Sequence, residues 1–286
     1  MGHNAYLDFT WLRGLPGKGV GMDFVPKDYY TIQDLLEIIV LLRAPGGCPW
    51  DREQTHKSIR ANLIEETYEV AEAIDLADTA LLREELGDLL LQIVLHTRME
   101  EELGHFTFDD VCDELCKKLV YRHPHVFGEL TAQNASQALQ NWEALKNTEK
   151  GRLTAADRLT SVPGSLPALM QCTKVQKRAD AFGFAYPGVS RAIQDLEDEI
   201  AELKAALASG ENVPGEVGDV LFSAANVARL AGAEAEQELA FATKRFVSRV
   251  VCAEEMAAEK GKALQEVSEA ELDELWRLAK SCLAEK

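Results

Sequence analysis

Apolar residues recur every three or four positions along most of the chain, and β-branched alternation is nearly absent. That period is the signature of amphipathic α-helices, each with one face for a core. The pattern predicts a helix capped by Thr31 and running to about Arg43. Pro45-Gly46-Gly47-Cys48-Pro49 then breaks the chain. Helices follow at about 55–76, 81–103 and 108–121, the last ended by His123-Pro124-His125, and then at about 136–150. Residues 151–165 hold polar residues with Pro163 and Gly164 and read as a linker. Beyond it helices are expected at about 166–181, 189–208, 214–231, 234–260 and 268–284.

The two halves carry the same chemistry at the same spacings. Glu66 and Glu69 precede Glu85-Leu86-Gly87-Asp88, and Glu199 and Glu202 precede Glu216-Val217-Gly218-Asp219. Lys118 and Arg122 lie one turn apart, followed by Trp142 and Lys146. Arg245 and Arg249, then Trp276 and Lys280, answer in the second half. In a helical protein one such pair means little, but the full series in one order reads as an internal repeat.

On a helical wheel Ile59, Leu63, Val70 and Ile74 form one apolar stripe. Glu66 falls in its middle and Glu69 on its edge. A carboxylate facing a core is costly unless it is paired or holds a cation. On the next helix Glu85, Asp88 and Gln92 form the polar stripe left over beside a broad apolar face. Each i, i+3 pair projects from one side of its helix, so two antiparallel helices can gather four carboxylates. Four uncompensated charges repel, and an all-oxygen set suits Mg²⁺ or Mn²⁺ rather than zinc. Ordinary solvated helix faces are the competing reading. They are stronger in the second half, where Glu199 and Glu202 flank the stripe of Ile193, Leu196, Ile200 and Leu207.

Composition narrows the classes. The chain has 286 residues, 47% of them hydrophobic and 27% charged, so it can bury a core. Lys and Arg number 30 against 48 Asp and Glu, a formal net charge of -18. So acidic a chain is a poor nucleic-acid binder, since that affinity comes from neutralising phosphates, and a poor anionic-membrane binder. The longest apolar runs, such as 35–42, fall short of a membrane span. The six cysteines form no CxxC pair and no secretory signal is read, so reduced thiols and a cytoplasmic location are expected. Cys112 and Cys116, one turn apart, are expected to be buried small hydrophobes rather than zinc ligands. Residues 1–30 read as a loose, glycine-containing extension, with Met22 an alternative start.

In so acidic a protein the spaced cations would ordinarily pair with nearby glutamates, for little gain. Their functional reading is contact with the phosphate oxygens of a metal-bound substrate, and that of the two Trp residues is stacking on a base. A ferritin-like di-iron protein is a competing class, because Glu53 with His56 and Glu102 with His105 have Glu-x-x-His spacing. A non-catalytic nucleotide-binding regulatory scaffold is another.

Several segments together resemble the MazG family of nucleoside triphosphate pyrophosphohydrolases, within the all-α NTP pyrophosphatase superfamily. They are LRAPGGCPWDREQT (42–55), IEETYEV (64–70), EELGDLL (84–90) and RHPHVF (122–127). In the second half they are SLPALMQCTKVQKRADAFGF (165–184) and EVGDVLF (216–222). The resemblance implies an all-α fold, a tandem repeat of two helical-bundle MazG-like domains at 31–150 and 166–286. It further implies Mg²⁺-dependent hydrolysis of nucleoside triphosphates to monophosphate and pyrophosphate, broad removal of non-standard nucleotides, and a homodimer. By position the metal ligands would be Glu66, Glu69, Glu85 and Asp88, with Glu199, Glu202, Glu216 and Asp219 in the second repeat. Glu65 or Glu69 would be the base for the attacking water. The substrate-binding set would be Arg245, Arg249, Trp276 and Lys280, with Lys118, Arg122, Trp142 and Lys146 as first-repeat counterparts. Three positions depart from the family: the second repeat reads Asp198-Glu199 where the family has Glu-Glu, and the family's catalytic-site Lys is Asp195 here, with Asn62 in the first repeat. Lys174, Lys177 or Arg178 are the cations available to replace it.

Overall fold

The computed structural model describes residues 24–284. The expected extension lies largely outside that range. The described chain is all-α, without β-strands among the described residues, and divides into two compact units that meet between Leu139 and Gln140.

In the first unit α1 (Ile32–Arg43) starts at Thr31, whose backbone N–H and hydroxyl both donate to Asp34 at 2.8 Å. A short helix α2 (Pro49–Glu53) follows, with Pro49 at its first turn, where the missing N–H costs nothing. The Arg43 guanidinium, nearly buried, holds this segment: it donates to the Asp51 and Gln54 carbonyls and to Glu102 at 2.8 and 3.0 Å. Residues 55–58 form a turn, so α3 (Arg60–Asp75) begins later than the periodicity predicts. Then come α4 (Thr79–Glu102), capped by Asp78, which accepts from Ala80 and Leu81, and α5 (Phe108–Arg122), capped by Thr107. A single turn, α6 (Pro124–Phe127), closes the RHPHVF segment. The core joins Ile39 of α1, Ile59 before α3, and Val94, Leu95 and Met99 of α4. Helix α7 (Ala135–Glu149) spans the division between the units.

In the second unit, α8 (Ala155–Thr160) lies within the segment expected as a linker. Thr154 caps it, and the Arg178 side chain fastens it to α9 (Ala168–Asp180) by donating to the Arg158 carbonyl and to Ser161. Helices α10 (Val189–Ser209) and α11 (Val213–Leu230) form a hairpin, as α3 and α4 do. Gln176 of α9 ties to α11 by donating from Nε2 to the Phe222 carbonyl at 2.8 Å. Helices α12 (Ala235–Glu259) and α13 (Glu269–Ala284) pack around Ala253, Ala257 and Leu275.

Burial corrects three sequence expectations. Ile74, placed on the apolar stripe of α3, is exposed, and Ala73 is the buried residue at that end of the face. The packed stripe of α10 is Ala192, Leu196, Glu199, Leu203 and Ala206, one register away from the large aliphatics. Ile193, Ile200 and Leu207 are exposed instead. Close packing of α10 on α11 places small alanines at the contact, and hydrophobic size alone misreads that face. Cys112 and Cys116 are exposed on α5, beside the equally exposed Leu115 and Leu119, rather than buried. No described helix is long and apolar enough to cross a membrane.

Candidate metal and substrate site

Helices α3 and α4 bring Glu66, Glu85 and Asp88 together, with one carboxylate oxygen of each within 4.8 Å of the others. Glu66 stands in the core-facing series Ile59, Leu63, Glu66, Val70 and Ala73, half-buried among apolar neighbours. Burial raises its pKa first, and the charges of Asp88 and Glu69 raise it further. Glu85 is raised by burial and then by Glu69 and Asp88. Glu69 thus lies within electrostatic reach of both helices' acids. Glu65 is exposed and outside this group.

Helices α10 and α11 gather Glu199, Glu202 and Glu216, again within 4.8 Å; here both α10 acids and one α11 acid meet and Asp219 lies outside the group, whereas in the first hairpin Glu69 does. Burial is also the largest cause of the raised Glu199 pKa, followed by Glu202, Asp219 and Glu216. Glu199 therefore faces the packed interior as Glu66 does, instead of flanking the stripe. The Asn212 amide donates to Glu216 at 3.0 Å and holds one carboxylate in place. Gly215 keeps room for it, since a Cβ there would meet the Asn212 side chain at 2.5 Å.

Repelling carboxylates that burial makes reluctant to ionise, with oxygen as the only donor, fit a hard divalent cation such as Mg²⁺ or Mn²⁺. Without a cation the cluster is a repulsive, partly desolvated defect. With one, the same geometry becomes a ligand cage.

The basic and aromatic residues gather locally. Lys280 and Arg249 sit over the Trp276 ring, 5.7 and 6.0 Å from its centroid, and Phe246 packs against the ring at 5.4 Å. Lys146 lies 4.5 Å over Trp142. No described hydrogen bond or ion pair joins Arg245, Arg249, Trp276 or Lys280 to the carboxylates. Lys118 is half-buried on α5, and Arg122 closes that helix.

Two of the cations considered as replacements for the departed Lys are engaged elsewhere. Lys177 pairs with Glu143 at 3.7 Å, and Arg178 holds α8. The cation beside Asp195 is Arg191, at 2.7 Å and one turn earlier on α10. Sequence reading missed this i, i+4 pair, although its spacing was visible.

The di-iron arrangement is not formed. His56 and His105 both bond Glu100, at 2.6 Å each, and His56 also meets His96 at 2.7 Å. Glu102 is committed to Arg43 and Arg98. The Glu-x-x-His spacings therefore do not converge on a shared centre.

Helical hairpins that gather acidic residues in this way have the donor set that metal-assisted phosphate-ester and anhydride chemistry uses. Residues 54–127 match the family described as a MazG nucleotide pyrophosphohydrolase domain. The chain is 40% identical over 248 residues to the nucleoside triphosphate pyrophosphohydrolase/pyrophosphatase MazG of Thermotoga maritima, covering 87% of this chain and 95% of that protein. It is 39% identical over 254 residues to the nucleoside triphosphate pyrophosphohydrolase of Escherichia coli K12, covering 87% and 97%. A Mycobacterium tuberculosis nucleoside triphosphate pyrophosphohydrolase is 37% identical over 227 residues, 79% of this chain and 58% of that protein. The chain belongs to the MazG family.

Proposed function

We propose that the protein is a hydrolase that cleaves nucleoside triphosphates to the monophosphate and pyrophosphate. The observation that carries this reading is the convergence of three carboxylates from two helices on each hairpin, in a chain of the MazG family. The two units form a tandem repeat, with domains at about 31–150 and 166–286. Glu66, Glu69, Glu85 and Asp88 hold the metal in the first, and Glu199, Glu202, Glu216 and Asp219 in the second. Mg²⁺ held there supplies Lewis-acid neutralisation of the polyphosphate and its developing charge. Glu69, next to Glu66 on the hairpin, accepts the proton of the attacking water; Glu65, exposed, stands outside the cluster. Lys118, Arg122, Lys146, Arg245, Arg249 and Lys280 receive phosphate oxygens, and Trp142 and Trp276, each beside a cation of this set, stack on the base. A broad range of non-standard nucleotides is the substrate class.

The protein acts as a homodimer. Ile193, Ile200, Val217 and Leu221 are exposed apolar side chains on the second hairpin, of the kind a second copy covers.

Product analysis decides the reaction. Mg-NTP should yield NMP and pyrophosphate, and NDP with orthophosphate as main products would overturn the reading. Activity should disappear with EDTA and return with Mg²⁺ or Mn²⁺. Return with stoichiometric Zn²⁺ alone would contradict the all-oxygen site.

A further inference from the structure

A chain of four side chains runs across the first unit. The Glu100 carboxylate accepts from His56 Nε2 and from His105 Nδ1, at 2.6 Å each. The other nitrogen of the first ring, His56 Nδ1, meets His96 Nδ1 at 2.7 Å, and the two rings stack with centroids 5.0 Å apart. His56 sits in the turn before α3, His96 and Glu100 lie one turn apart on α4, and His105 stands in the loop that leads into α5. Three separate pieces of backbone are fastened together in this way. We propose, independently of the reaction, that this chain is an acid-opened clasp on the start of α3, closed while His56 and His96 share at most one added proton and open when both rings are charged.

The proton count follows from the partners. A carboxylate only accepts, so His105 Nδ1 and His56 Nε2 each carry a hydrogen. The facing nitrogens, His56 Nδ1 and His96 Nδ1, need a single hydrogen between them. In the neutral pair it is on His96, and His56 Nδ1 accepts. One added proton goes to His56, which then donates at both ends, to Glu100 and to His96, while His96 carries its own hydrogen on Nε2. The contact survives, and His56 gains an ion pair with the carboxylate. A second added proton puts a hydrogen on both facing nitrogens. The bond is then lost, and two like charges stand in stacked rings.

Burial decides which ring resists. His96 Nε2 is buried with no hydrogen-bond partner, so a charge on that ring is poorly compensated. Desolvation, and then the charge of His56, hold the His96 pKa below the ordinary histidine value. Hydrogen bonds from His105 and then His56 hold that of Glu100 low, so the carboxylate stays ionised while the rings titrate. A lowered histidine pKa means that the fold favours the neutral ring. Its contribution is complete above the unfolded value, near about 6.5, and is lost as pH falls toward the folded one.

Charges on the neighbouring elements are spent elsewhere. Arg43 and Arg98 pair with Glu101 and Glu102, and Asp110 of α5 is taken by Thr107. The wall beside the clasp is Leu63 of α3, Ile93 and Thr97 of α4, Phe106 and Val111, which carry no charge. The second hairpin supplies a control within the same molecule. Counted from Glu199 and Asp219 as His56 and His96 are from Glu66 and Asp88, the matching residues are Val189 and Val227, and Ala231 stands in the place of Glu100. Both hairpins nevertheless open with the same backbone bond. The Ile59 N–H donates to the Thr55 carbonyl, and the Ala192 N–H to the Gly188 carbonyl, at 3.3 Å each.

The test is hydrogen exchange in the full chain, read at the Ile59 and Ala192 amides and corrected for intrinsic rate, as pH falls from about 7.5 to about 5. Protection at Ile59 should drop roughly tenfold, while that at Ala192 stays within about twofold. His96→Asn places an amide where Nδ1 lies and cannot take the second charge, so it should keep the Ile59 protection across the range. Glu100→Gln cannot accept from two rings at once and should lower that protection already at the upper pH. Histidine nitrogen-15 spectra of the unaltered chain give a readout that needs no variant to fold: the loss at Ile59 should track the titration of His96. A His96 that becomes charged while Ile59 stays protected overturns the proposal. Equal losses at both amides, or in His96→Asn as in the parent, also overturn it, because acid would then be loosening the helices by another route.

Discussion

The two hairpins share one frame and differ in what surrounds it. On α3 the inward series is Ile59, Leu63, Glu66, Val70 and Ala73; on α10 it is Ala192, Leu196, Glu199, Leu203 and Ala206. The carboxylate occupies the same place in each, desolvated by the same packing. Beside that carboxylate the first unit buries Ile59, Val94 and Leu95 and opens a cavity of about 650 Å³ lined by Leu63, Ile93 and His96; the second has Ala192, Ala225 and Asn226 at the matching positions and a cavity of about 510 Å³ lined by Phe184, Tyr186 and Phe222. Acidic positions can thus be constant while the side chains beside them change what lines the neighbouring space. A histidine and glutamate network, His56, His96, Glu100 and His105, marks the first unit further.

The largest expected effect breaks or keeps both halves of that comparison. Glu69→Ala and Glu202→Ala, made separately, should each weaken Mg²⁺ binding in one unit while their effects on turnover differ. Together they should lower turnover by orders of magnitude, since the metal carries most of the charge stabilisation. Wild-type turnover in the double variant would sink the assignment of both clusters.

Next in size is the difference in packing. Leu95 is 3% exposed among Ile39, Ile59, Val94 and Met99, so Leu95→Ala should cost about 2–5 kcal/mol in the first unit. The matching change in the second unit, Asn226→Ala, deletes far less apolar contact and instead releases Arg229. Urea unfolding followed in each unit should show the first variant losing stability there alone. An undiminished midpoint would mean that this layer is not a core.

Much of this architecture was legible in the sequence, and the exceptions have identifiable causes. Long helices were placed to within a few residues, because their 3.6-residue period is carried by many side chains at once. The carboxylate pairs were legible because i, i+3 spacing survives folding unchanged. Short helices were missed: α2 and α6 hide in proline-containing segments and α8 in a polar stretch, each too brief for a period to register. The α10 stripe was read one residue off, since alanines at a tight contact are quieter than the exposed Ile193 and Ile200. The cavities were invisible because missing volume has no motif. The His56 contacts were invisible because they join residues 40 and 44 apart in the chain.

A smaller, pH-dependent effect compares one fixed carboxylate in each unit. Asp34, held by Lys27 and by the Thr31 N–H and hydroxyl, has its pKa lowered to about 2. Glu271, held by Lys262 and by the Ser268 N–H and hydroxyl, is also lowered to about 2. Both ionise more readily folded than unfolded, where carboxyls titrate near about 4. Their contribution is therefore complete above that value and is lost as pH falls toward about 2. Asp34→Asn should flatten the acid side of the first unit's stability profile, and Glu271→Gln that of the second. A profile unchanged between pH 5 and 2 in either variant would remove that carboxyl from the account.

The smallest effect concerns how each hairpin turns. The second uses Gly210 at φ 76° before Asn212 at φ 53°, residue types that tolerate the left-handed region. The first places Ala77 there, at φ 53°, between the end of α3 and the Asp78 cap of α4. An L-residue with a Cβ is strained by roughly 1–2 kcal/mol in that conformation. Replacing it with glycine relieves the strain but gives the unfolded chain more freedom, which returns roughly 0.5–1 kcal/mol. Ala77→Gly should therefore stabilise the first unit slightly, by about 0.5 kcal/mol. Nothing comparable is available at Gly210, where Gly210→Ala should destabilise. Urea midpoints of the two variants should move in opposite directions. If both fell, the Ala77 turn would not be strained, and the two hairpins would differ in the packing beside their carboxylates but not in how they turn.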